Sequence, residues 1–391
     1  MDASGRPRRV LIVSAAMGGG HLQISRELER RLVARGHEAL VVDQLEVMPA
    51  PIGRWLGWVY PWLVDRHPGL YQHVYDVFFA AGQHAGERVG IPVHLALPGL
   101  RRVVREFEPD LVASTYPLSA LAVGRLRARG ELDCPAVTVI TTFSVNSAWL
   151  HPAVDLELCI SEYAAADASV RMGRRAEVSG PIVRPGFLVA CPDRHTSRQR
   201  LGLPADARVA LLTTGSLGLG RTVRHAAEAI AARAGWVPVV VCGRNEELRE
   251  SLAELAGVVP LGWVDEMPTV MAAADVLVDN AAGMSSKEAL GIGLPVVTFQ
   301  PLTGHGRDDA AALADLGLTD IVTDEAQLLG AIDALVADPV EREARIARGK
   351  SLFVADAAEM LERMATRDDA SDGRGQWPDA TDAEHRLARE A

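Results

Sequence analysis

The sequence predicts an α/β protein with two doubly wound parallel sheets, each covered by helices. Three observations support this fold class. The chain has 391 residues and 48% of them are hydrophobic, which is enough for two domain cores. Near its start, an apolar run leads into a glycine-rich loop and then a helical pattern. The same order of strand, glycine loop and helix begins again at Arg208.

The first unit begins with a strand at Val10–Ser14, because this run is apolar throughout, as buried parallel strands are. A helix is predicted over His21–Arg35, with apolar residues near helical spacing and Gly36 as its stop. The next strand is Ala39–Asp43. The loop between the first strand and the helix therefore lies at the carboxyl edge of a parallel sheet, where such sheets bind ligands.

The second unit starts with the strand and glycine loop of Arg208–Gly220, followed by a helix to about Arg233. Four more strand-like segments follow, reading VPVVVCG, VVPLGWV, ADVLVDN and LPVVTFQP. The boundary is expected within Ser179–Phe187, which contains glycine and proline. The predicted domains are therefore 1–180 and 181–365. The polar remainder, 366–391, lacks periodicity and predicts a disordered tail.

Composition argues against several classes of protein. A formal net charge of −11 disfavours a general nucleic-acid binder, and no run of about 20 apolar residues is present that would cross a bilayer. The first apolar run is short and lacks a cleavage site, so it predicts the first strand of a cytoplasmic protein instead of a signal peptide. The cysteines are far apart and predict reduced thiols; they are Cys134, Cys159, Cys191 and Cys242.

The glycine loop that ends in Gly19, Gly20 and His21 lies at the predicted ligand edge. Its glycines let a ligand approach the backbone closely. Gln23 lies where the third glycine of G-x-G-x-x-G belongs, so NAD binding is disfavoured. A histidine at this helix start is a candidate general base, since its pKa lies near neutral pH. The alternative is a helix-capping histidine beside a flexible turn.

The second half contains a comparable pair of loops. In DNAAGMSSKEALG, the residues Gly283, Ser285 and Ser286 lie between a strand and a helix. Free backbone N–H groups and the helix dipole favour a phosphate there. Glu288 follows about one turn into the helix, within reach of ribose hydroxyls. The glycine–serine loop at Thr213–Gly218 can face the same diphosphate. Each loop alone also fits an ordinary strand-to-helix turn.

Together these segments resemble the GT-B glycosyltransferases of the monogalactosyldiacylglycerol synthase type, which include processive diacylglycerol glucosyltransferases. The peptidoglycan N-acetylglucosaminyl transferase is a more distant relative. The resemblance covers about residues 8–365. The segments that resemble the family are GGGH, TTFSVNSAWLHPAVD, GWVDEMPTVMAAADVLVDNAAGMSSKEALGIGLPVV and PLTGHGRDDAAAL. The third of these resembles the donor-nucleotide signature and is the most specific.

The resemblance implies a GT-B fold, with two Rossmann-like domains that face a central cleft and a UDP-sugar held on the second. It implies that Val264 and Met267 lie near uracil and that Glu288 binds the ribose. His21 then lies across the cleft, near the anomeric carbon or the acceptor hydroxyl. The implied phosphate contacts are Gly215, Ser216, Gly283, Ser285 and Ser286. The arginines Arg244 and Arg307 are candidates for phosphate or sugar contacts, with ordinary surface arginines as the alternative.

The chain departs from the family pattern at several positions. Thr142 lies where the family often has Asp, and Asn146 where it often has His. In the donor-sugar loop, His305 and Gly306 replace a Gln-Glu pair, and Asp309 replaces an Asn. These changes predict altered sugar contacts, and a changed acceptor is a better explanation than lost activity. The predicted acceptor side and glycine loop comprise Gly19, Gly20, Thr142, Asn146 and Trp149.

Aromatic residues are concentrated between Gly53 and Phe79, with Arg54 and Arg66 among them. Aromatic side chains with basic neighbours suit a membrane interface, and in the family this segment is linked to lipid-acceptor docking. The alternative is a pair of core helices packed on the first sheet. The aromatic residues are Trp55, Trp58, Tyr60, Trp62, Tyr71, Tyr75, Phe78 and Phe79.

The function implied is an inverting transfer of a hexose or N-acetylhexosamine from a UDP-sugar to a hydroxyl of a lipid or amphiphilic acceptor. His21 is the expected base. We find no D-x-D motif, so no metal is expected, and no cofactor besides the UDP-sugar donor. We expect a cytoplasmic location, with peripheral contact to the inner membrane surface through residues 53–79 and no nucleic-acid partner. Three alternatives stay open: a UDP-sugar 2-epimerase, a silent nucleotide-sugar-binding protein, and a glycosyltransferase of a specialised metabolite.

Overall fold

The first sheet contains six parallel strands in the described residues. The computed structural model describes residues 6–17, 19–77, 90–189, 193–214 and 222–366. The strands are β1 Arg9–Ser14, β2 Glu38–Asp43, β3 Leu111–Ser114, β4 Ala136–Ile140, β5 Leu156–Cys159 and β6 Glu177–Val178, in the spatial order β2-β1-β3-β4-β5-β6. Side chains of β1 enter two cores alternately, Val10 and Ile12 on one face, Leu11 and Val13 on the other. The middle of the strand, residues 10–13, is apolar, as expected for a strand covered on both faces.

Helices cover both faces of this sheet. They are α1 Gly20–Ala34, α2 Gln44–Val47, α3 Ile52–Arg66, α4 Pro68–Tyr75, α5 Gly90–Phe107, α6 Pro117–Ala128 and α7 Glu162–Met172, with a 3₁₀ turn at Ser147–Trp149. Leu28 of α1 packs on one face, while Leu97 of α5 and Leu126 of α6 pack on the other. The predicted strand–helix–strand unit at the start of the chain is therefore confirmed, with bounds that differ by one residue.

The second sheet repeats the plan with six described parallel strands. They are β7 Arg208–Thr213, β8 Trp236–Val241, β9 Val259–Leu261, β10 Val276–Asp279, β11 Val296–Phe299 and β12 Thr319–Val322, in the order β12-β11-β10-β7-β8-β9. The helices are α8 Arg194–Arg200, α9 Val223–Ala231, α10 Glu246–Ala253, α11 Met267–Ala273, α12 Met284–Ile292, α13 His305–Asp315, α14 Glu325–Ala337, α15 Pro339–Lys350 and α16 Ala357–Ala365. A 3₁₀ turn at Pro185–Phe187 precedes them.

Each sheet has one point where the order of its strands changes direction. In the first sheet β1 lies between β2 and β3, and in the second β7 lies between β8 and β10. At such a point the loops after two adjacent strands diverge and leave a crevice, which is where open α/β sheets bind ligands. The loop before His21 and the loop before α12 both start at these crevices.

The chain passes between the two sheets twice. It leaves the first sheet through Ser179–Arg184, and after α15 it returns, so that Ala358 and Leu361 of α16 enter the core of the first sheet. The two passages touch at Gly180, where φ is +71° and a Cβ would lie 2.4 Å from the Leu352 carbonyl oxygen. The division at residue 180 stays a prediction. Helix α16, although within 181–365, packs on the first sheet.

Other predictions concern the termini, the thiols and the membrane. Cys134, Cys159 and Cys242 are free thiols, while Cys191 and residues 367–391 of the predicted tail lie outside the described residues. Among the described residues, no helix combines the length and apolar character needed to span a membrane.

Candidate active site

His21 lies in the first turn of α1, held by the ends of neighbouring strands. Its Nδ1 is 2.9 Å from the carbonyl oxygen of Thr115, which follows β3, and 3.1 Å from the hydroxyl of Thr141, which follows β4. The hydroxyls of Ser25 and Thr115 are 2.7 Å apart and tie α1 to the same loop. These bonds fix the imidazole at the carboxyl edge of the first sheet.

The bond to Thr115 also sets the proton on the imidazole. A carbonyl oxygen only accepts, so Nδ1 is assigned the proton and Nε2 keeps its lone pair. Burial lowers the pKa of His21 to about 4, against the opposing effect of the Thr115 hydrogen bond. The predicted near-neutral pKa is therefore wrong for the ligand-free protein: the imidazole is neutral at neutral pH, the form in which a general base accepts a proton, but it is a weaker base than a free histidine.

The helix-capping alternative for His21 is wrong. The N-cap of α1 is Gly19, with φ 82°, and no side chain caps the helix. The His21 ring instead lies among aromatic side chains, with centroid distances of 5.1 Å to Tyr116 and 6.1 Å to the fully buried Trp149. Trp149 therefore packs beside the imidazole of His21.

Thr142 and Asn146 shape the loop after β4. The Thr142 hydroxyl donates to the Ser144 carbonyl oxygen at 2.7 Å, and Asn146 Oδ1 accepts from the Ala148 N–H at 3.0 Å. Asn146 also interacts with the Tyr75 side chain. Their described bonds thus hold this loop and join it to α4; contact with an acceptor stays a prediction.

Helix α12 points its N-terminus into the crevice of the second sheet. Gly283 is its N-cap and offers no side chain, while Ser285 is half-buried at the first turn. Ser286 is fully buried, and its hydroxyl donates to Asp279 at 2.7 Å. The Ser286 hydroxyl is therefore already engaged. What this end of α12 offers an anion is its unpaired backbone N–H groups and the positive end of its dipole.

Glu288 lies one turn into α12 and has a free acceptor. Its side chain is buried, and Oε1 has no hydrogen-bond partner. The guanidinium of Arg184 lies 4.0 Å away, beyond hydrogen-bond distance. Burial raises the pKa of Glu288 to about 7, although Arg184 and Lys287 oppose this. A buried carboxylate without a donor is costly, so the position fits a ligand with hydroxyl donors, as a ribose diol has.

The predicted nucleobase residues follow β9, at the same edge of the second sheet. Val264 is half-buried, and Met267 begins α11 and packs in the core. Beside them Trp263 is 54% exposed, with the exposed guanidinium of Arg244 4.7 Å from its ring centroid. An exposed indole at this position is a stacking surface for a flat base. Contact of these residues with uracil stays a prediction.

Helix α4 covers the start of α13, the predicted donor-sugar loop. Gly304 has φ +72°, and a Cβ there would lie 2.7 Å from the Tyr71 ring, so the two elements are in close contact. Three bonds join them: Tyr71 OH with His305 Nδ1 at 2.8 Å, Tyr75 OH to Asp308 at 2.9 Å, and the Gly304 N–H to Gln72 at 2.7 Å. His305 is thus fixed by a tyrosine from the other half of the chain.

Two further contacts bring the crevices of the two sheets together. Asp309 of α13 is 2% exposed and accepts from the N–H and hydroxyl of Ser144, at 2.8 and 2.6 Å. A Cβ added to Gly20 would lie 3.8 Å from the Cβ of Met284. The glycine loop before His21 and the start of α12 therefore face each other across one narrow cleft.

Of the remaining predicted residues, two are not described by the structure and one is exposed. Gly215 and Ser216 lie outside the described residues, and Arg307 is exposed on α13. Two residues that line the site were missed, Arg184 and Lys287; Tyr71 was predicted for the membrane interface, and its bond to His305 was not expected. Arg184 lies six residues after β6, in the passage to the second sheet. That Lys287 is one of two lysines in the chain is the one signal the sequence offered for it.

Comparisons with known proteins agree with this geometry. Residues 21–179 match the family model described as Monogalactosyldiacylglycerol (MGDG) synthase, and residues 210–338 match that of Glycosyl transferases group 1. Processive diacylglycerol beta-glucosyltransferases from Bacillus pumilus and Bacillus subtilis are each 24% identical to this chain. Both alignments cover 90% of this chain, with 93% and 94% of the relatives.

Solved structures share the fold. The spinosyn rhamnosyltransferase SpnG has a TM-score of 0.64 at 16% identity, covering 92% of this chain and 100% of its own. The glycosyltransferase of kitacinnamycin gives 0.62 at 20%, and MurG of Acinetobacter baumannii 0.58 at 15%, with the same coverage. The predicted GT-B architecture is confirmed. From its two family models, its relatives and its fold, the chain is a GT-B glycosyltransferase, similar in its first half to the monogalactosyldiacylglycerol synthases.

Proposed function

We propose that this chain transfers a hexose or N-acetylhexosamine from a UDP-sugar to a hydroxyl of a lipid or amphiphilic acceptor, with inversion at the anomeric carbon. One observation supports this above the others: the neutral imidazole of His21 and the N-terminus of α12 face each other across one cleft, which is so narrow that a Cβ added to Gly20 would lie 3.8 Å from the Cβ of Met284. A base and an anion site in this arrangement suit a displacement between them.

The donor site in this proposal is built on the second sheet. Glu288 accepts from the ribose hydroxyls, because its Oε1 is buried and otherwise unpaired. The backbone at Gly283 and the start of α12 binds the diphosphate. Trp263, Val264 and Met267 hold the uracil. His305 contacts the sugar through Nε2, since its Nδ1 is bonded to Tyr71.

The proposed reaction is a single displacement. The acceptor hydroxyl attacks the anomeric carbon on the side opposite UDP, and its proton passes to Nε2 of His21. The bond from that carbon to the β-phosphate oxygen breaks, and UDP keeps the electron pair. Preorganised donors at α12 stabilise the charge that develops on UDP.

We further propose that no metal ion takes part. In the part of the chain that the structure describes, no group of three or more His, Cys, Asp or Glu side chains is arranged to hold one. Transfer is therefore expected to continue at an unchanged rate in excess EDTA. A rate that falls with EDTA and returns with Mg²⁺ or Mn²⁺ would contradict this.

The proposed lipid acceptor is supported by the surface of α3. Trp55, Trp58 and Trp62 lie three and four residues apart on this helix and are 57%, 67% and 43% exposed. We call them the tryptophan face. Arg54 is exposed beside them, and a groove of about 420 Å³ is lined by Pro51, Ile52, Arg54, Trp55 and Trp58. Such a face suits the headgroup region of a membrane, here the inner surface of the plasma membrane.

UDP release is the test of the whole proposal. The purified protein is mixed with UDP-sugars and, for comparison, dTDP-sugars. The acceptor is absent, or is diacylglycerol or polyprenyl phosphate in detergent, or a water-soluble hydroxylated compound. Release that requires both a UDP-sugar and a lipid acceptor is expected. Release only with a hydroxylated small molecule would favour the specialised-metabolite enzyme. Conversion of a UDP-sugar without acceptor would favour the epimerase, and UDP binding without turnover a silent binder.

Replacing the tryptophan face tests the membrane contact. In the triple variant Trp55→Ser, Trp58→Ser and Trp62→Ser, binding to anionic lipid vesicles is expected to fall by tenfold or more, since each inserted indole contributes on the order of 1–2 kcal/mol. Sedimentation with vesicles measures this. Activity on a short-chain acceptor dissolved as monomers is expected to stay near that of the unmodified protein. Unchanged vesicle binding would show that α3 does not dock on the membrane.

A further inference from the structure

Lys287 is a buried cation in the cleft that neither the predicted site nor the reaction above accounts for. Its side chain belongs to the first turns of α12, and the residue is only 4% exposed. Its Nζ turns back toward the start of the helix and donates to the carbonyl oxygens of Ala282 and Gly283, each at 3.2 Å. On its other side, the ring of Phe143 from the first half lies 5.2 Å away.

The ammonium group lacks a direct counter-charge. Among the described residues, no carboxylate forms an ion pair with Lys287, although Asp309, Asp279 and Glu288 lie near enough to act on it through their charge. Asp309 is already occupied by two hydrogen bonds from Ser144. Burial lowers the pKa of Lys287, as expected for an ammonium removed from water. A buried cation that only carbonyl dipoles satisfy is costly to maintain, and such groups are concentrated at functional sites.

A structural explanation is also available. Ala282 has φ +48°, in the left-handed region that side chains other than glycine rarely adopt. By bonding to the carbonyls of Ala282 and Gly283, Lys287 braces this turn. Bracing alone does not require a charge, however, because a neutral donor satisfies a carbonyl at lower cost of burial. The position of the charge, at the helix end that faces His21, indicates an anionic ligand.

We propose that Lys287 binds the β-phosphate of the nucleotide-sugar donor and stabilises the diphosphate as it departs. This inference rests on the proposed function and adds a catalytic residue to it. As the bond between the anomeric carbon and the β-phosphate oxygen breaks, the electron pair stays on that oxygen. The ammonium of Lys287 donates a hydrogen bond to the diphosphate and keeps its proton. The proton of the acceptor hydroxyl goes to His21, so Lys287 neither gains nor loses a proton in this step.

Binding of three nucleotides separates this role from bracing. UDP, UMP and uridine are titrated by calorimetry into the unmodified protein, Lys287→Met and Lys350→Met. Lys350 is the chain's other lysine, exposed at the end of α15, and serves as the matched control. For Lys287→Met we expect UDP affinity to fall by about tenfold or more, the effect of losing a charged hydrogen bond. Uridine affinity is expected to stay within about twofold, and Lys350→Met to bind all three like the unmodified protein.

Two results would overturn the inference. If Lys287→Met weakens UDP and uridine by the same factor, Lys287 only braces the turn. If UDP affinity is unchanged, Lys287 does not touch the diphosphate. An unmodified protein that binds none of the three nucleotides would be a different failure, because it would remove the proposed UDP donor itself.

The unmodified protein offers a second test that does not depend on a variant that folds. Since the chain has two lysines, labelling lysine with ¹³C at its ε-carbon gives one NMR signal for each. UDP is expected to shift the Lys287 signal and leave the Lys350 signal unaffected, while uridine shifts neither. A Lys287 signal that is the same with and without UDP would contradict a contact with the phosphate.

Discussion

The two sides of the cleft differ in how their polar groups are satisfied. On the first side, His21 is bonded to Thr115 and lies within hydrogen-bond distance of Thr141, so its orientation is fixed within its own sheet. On the second side, Glu288 has an unpaired buried oxygen and Lys287 has no ion pair among the described residues. The proposed base is therefore oriented before any ligand binds, while the proposed donor side contains buried polar groups that a ligand would pair.

Because of this difference, the polar groups of the two sides have different effects on stability and on binding. Polar groups that already have hydrogen-bond partners in the free protein cost little stability and are in position when the substrate binds. Groups that are buried without partners reduce the stability of the free protein and recover that free energy on binding. Changes at His21 are therefore expected to affect the rate of transfer, and changes at Glu288 to affect both stability and donor binding.

The largest expected effect is that of His21→Ala. Transfer is expected to fall by about 10²–10⁴-fold, the usual contribution of a general base, while UDP affinity stays within about twofold because the donor binds on the other side. Initial rates and calorimetry measure the two quantities. His94→Ala, at an exposed histidine of α5, is the control and is expected to retain full activity. A loss of UDP affinity that matches the loss of rate would contradict the division of roles.

The next effect concerns stability and pH. Burial raises the pKa of Glu288 from 4.5 to about 7, so the folded protein holds a proton that the unfolded chain releases. Its contribution to stability is present below pH 4.5 and is lost as the pH rises through 7, by about 3 kcal/mol. Glu288→Gln has no charge to bury and is expected to raise the free energy of unfolding by about this amount at pH 8.

Urea denaturation of the ligand-free protein at pH 8 and pH 4.5 measures this gain. The gain is expected at pH 8 and should be absent at pH 4.5, where the carboxyl is protonated in the folded protein. An equal difference at both pH values would mean that the charge of Glu288 is not its cause.

The same substitution is expected to weaken UDP binding by about tenfold to a hundredfold, since two hydrogen bonds to a charged acceptor are lost or weakened. Calorimetry at pH 8 checks this against dTDP, which lacks the ribose 2′-hydroxyl and is expected to lose less. A variant that is both more stable and still binds UDP tightly would show that Glu288 does not contact the ribose.

The smallest expected effect is that of Tyr71→Phe. This change removes the hydroxyl that bonds to His305 Nδ1 and keeps the ring that packs on Gly304. The KM for the donor is expected to rise about fivefold, the effect of one neutral hydrogen bond, with the KM for the acceptor unchanged. Steady-state kinetics at varied donor and acceptor distinguish the two. A rise in KM for the acceptor alone would mean that Tyr71 acts on acceptor binding and not on donor binding.

The sequence predicted the parts of this site that depend on local pattern. His21 and the start of α12 were found because each follows an apolar strand and a glycine-containing loop, and parallel strands bring such loops to one edge. Glu288 has a buried oxygen without a partner, while its predicted ribose contact stays a prediction. The fold was predicted for the same reason, since two strand-and-loop repeats give two sheets.

The parts that were missed depend on contacts between residues far apart in the chain. Tyr71 and His305 are separated by 234 positions, and no local pattern indicates that α4 covers α13. Lys287 follows two serines and precedes a glutamate, which is typical of a solvent-facing helix turn, yet it is 4% exposed and lies 5.2 Å from the ring of Phe143, a residue 144 positions earlier. The sequence also does not indicate which sheet α16 packs on, because its apolar face fits either one.

The two passages of the chain between the sheets, which touch at Gly180, affect how the two sides of the cleft are held together. Arg31 of α1 donates to the Val183 carbonyl of one passage at 2.6 Å and to Asp356 beside the other at 3.2 Å. The same helix contains His21 in its first turn, and the ten residues from His21 to Arg31 span about 15 Å along the helix. Since misplacement of about 1 Å can cost a hundredfold in rate, small rotations of one half against the other at this crossing are expected to change the rate of transfer.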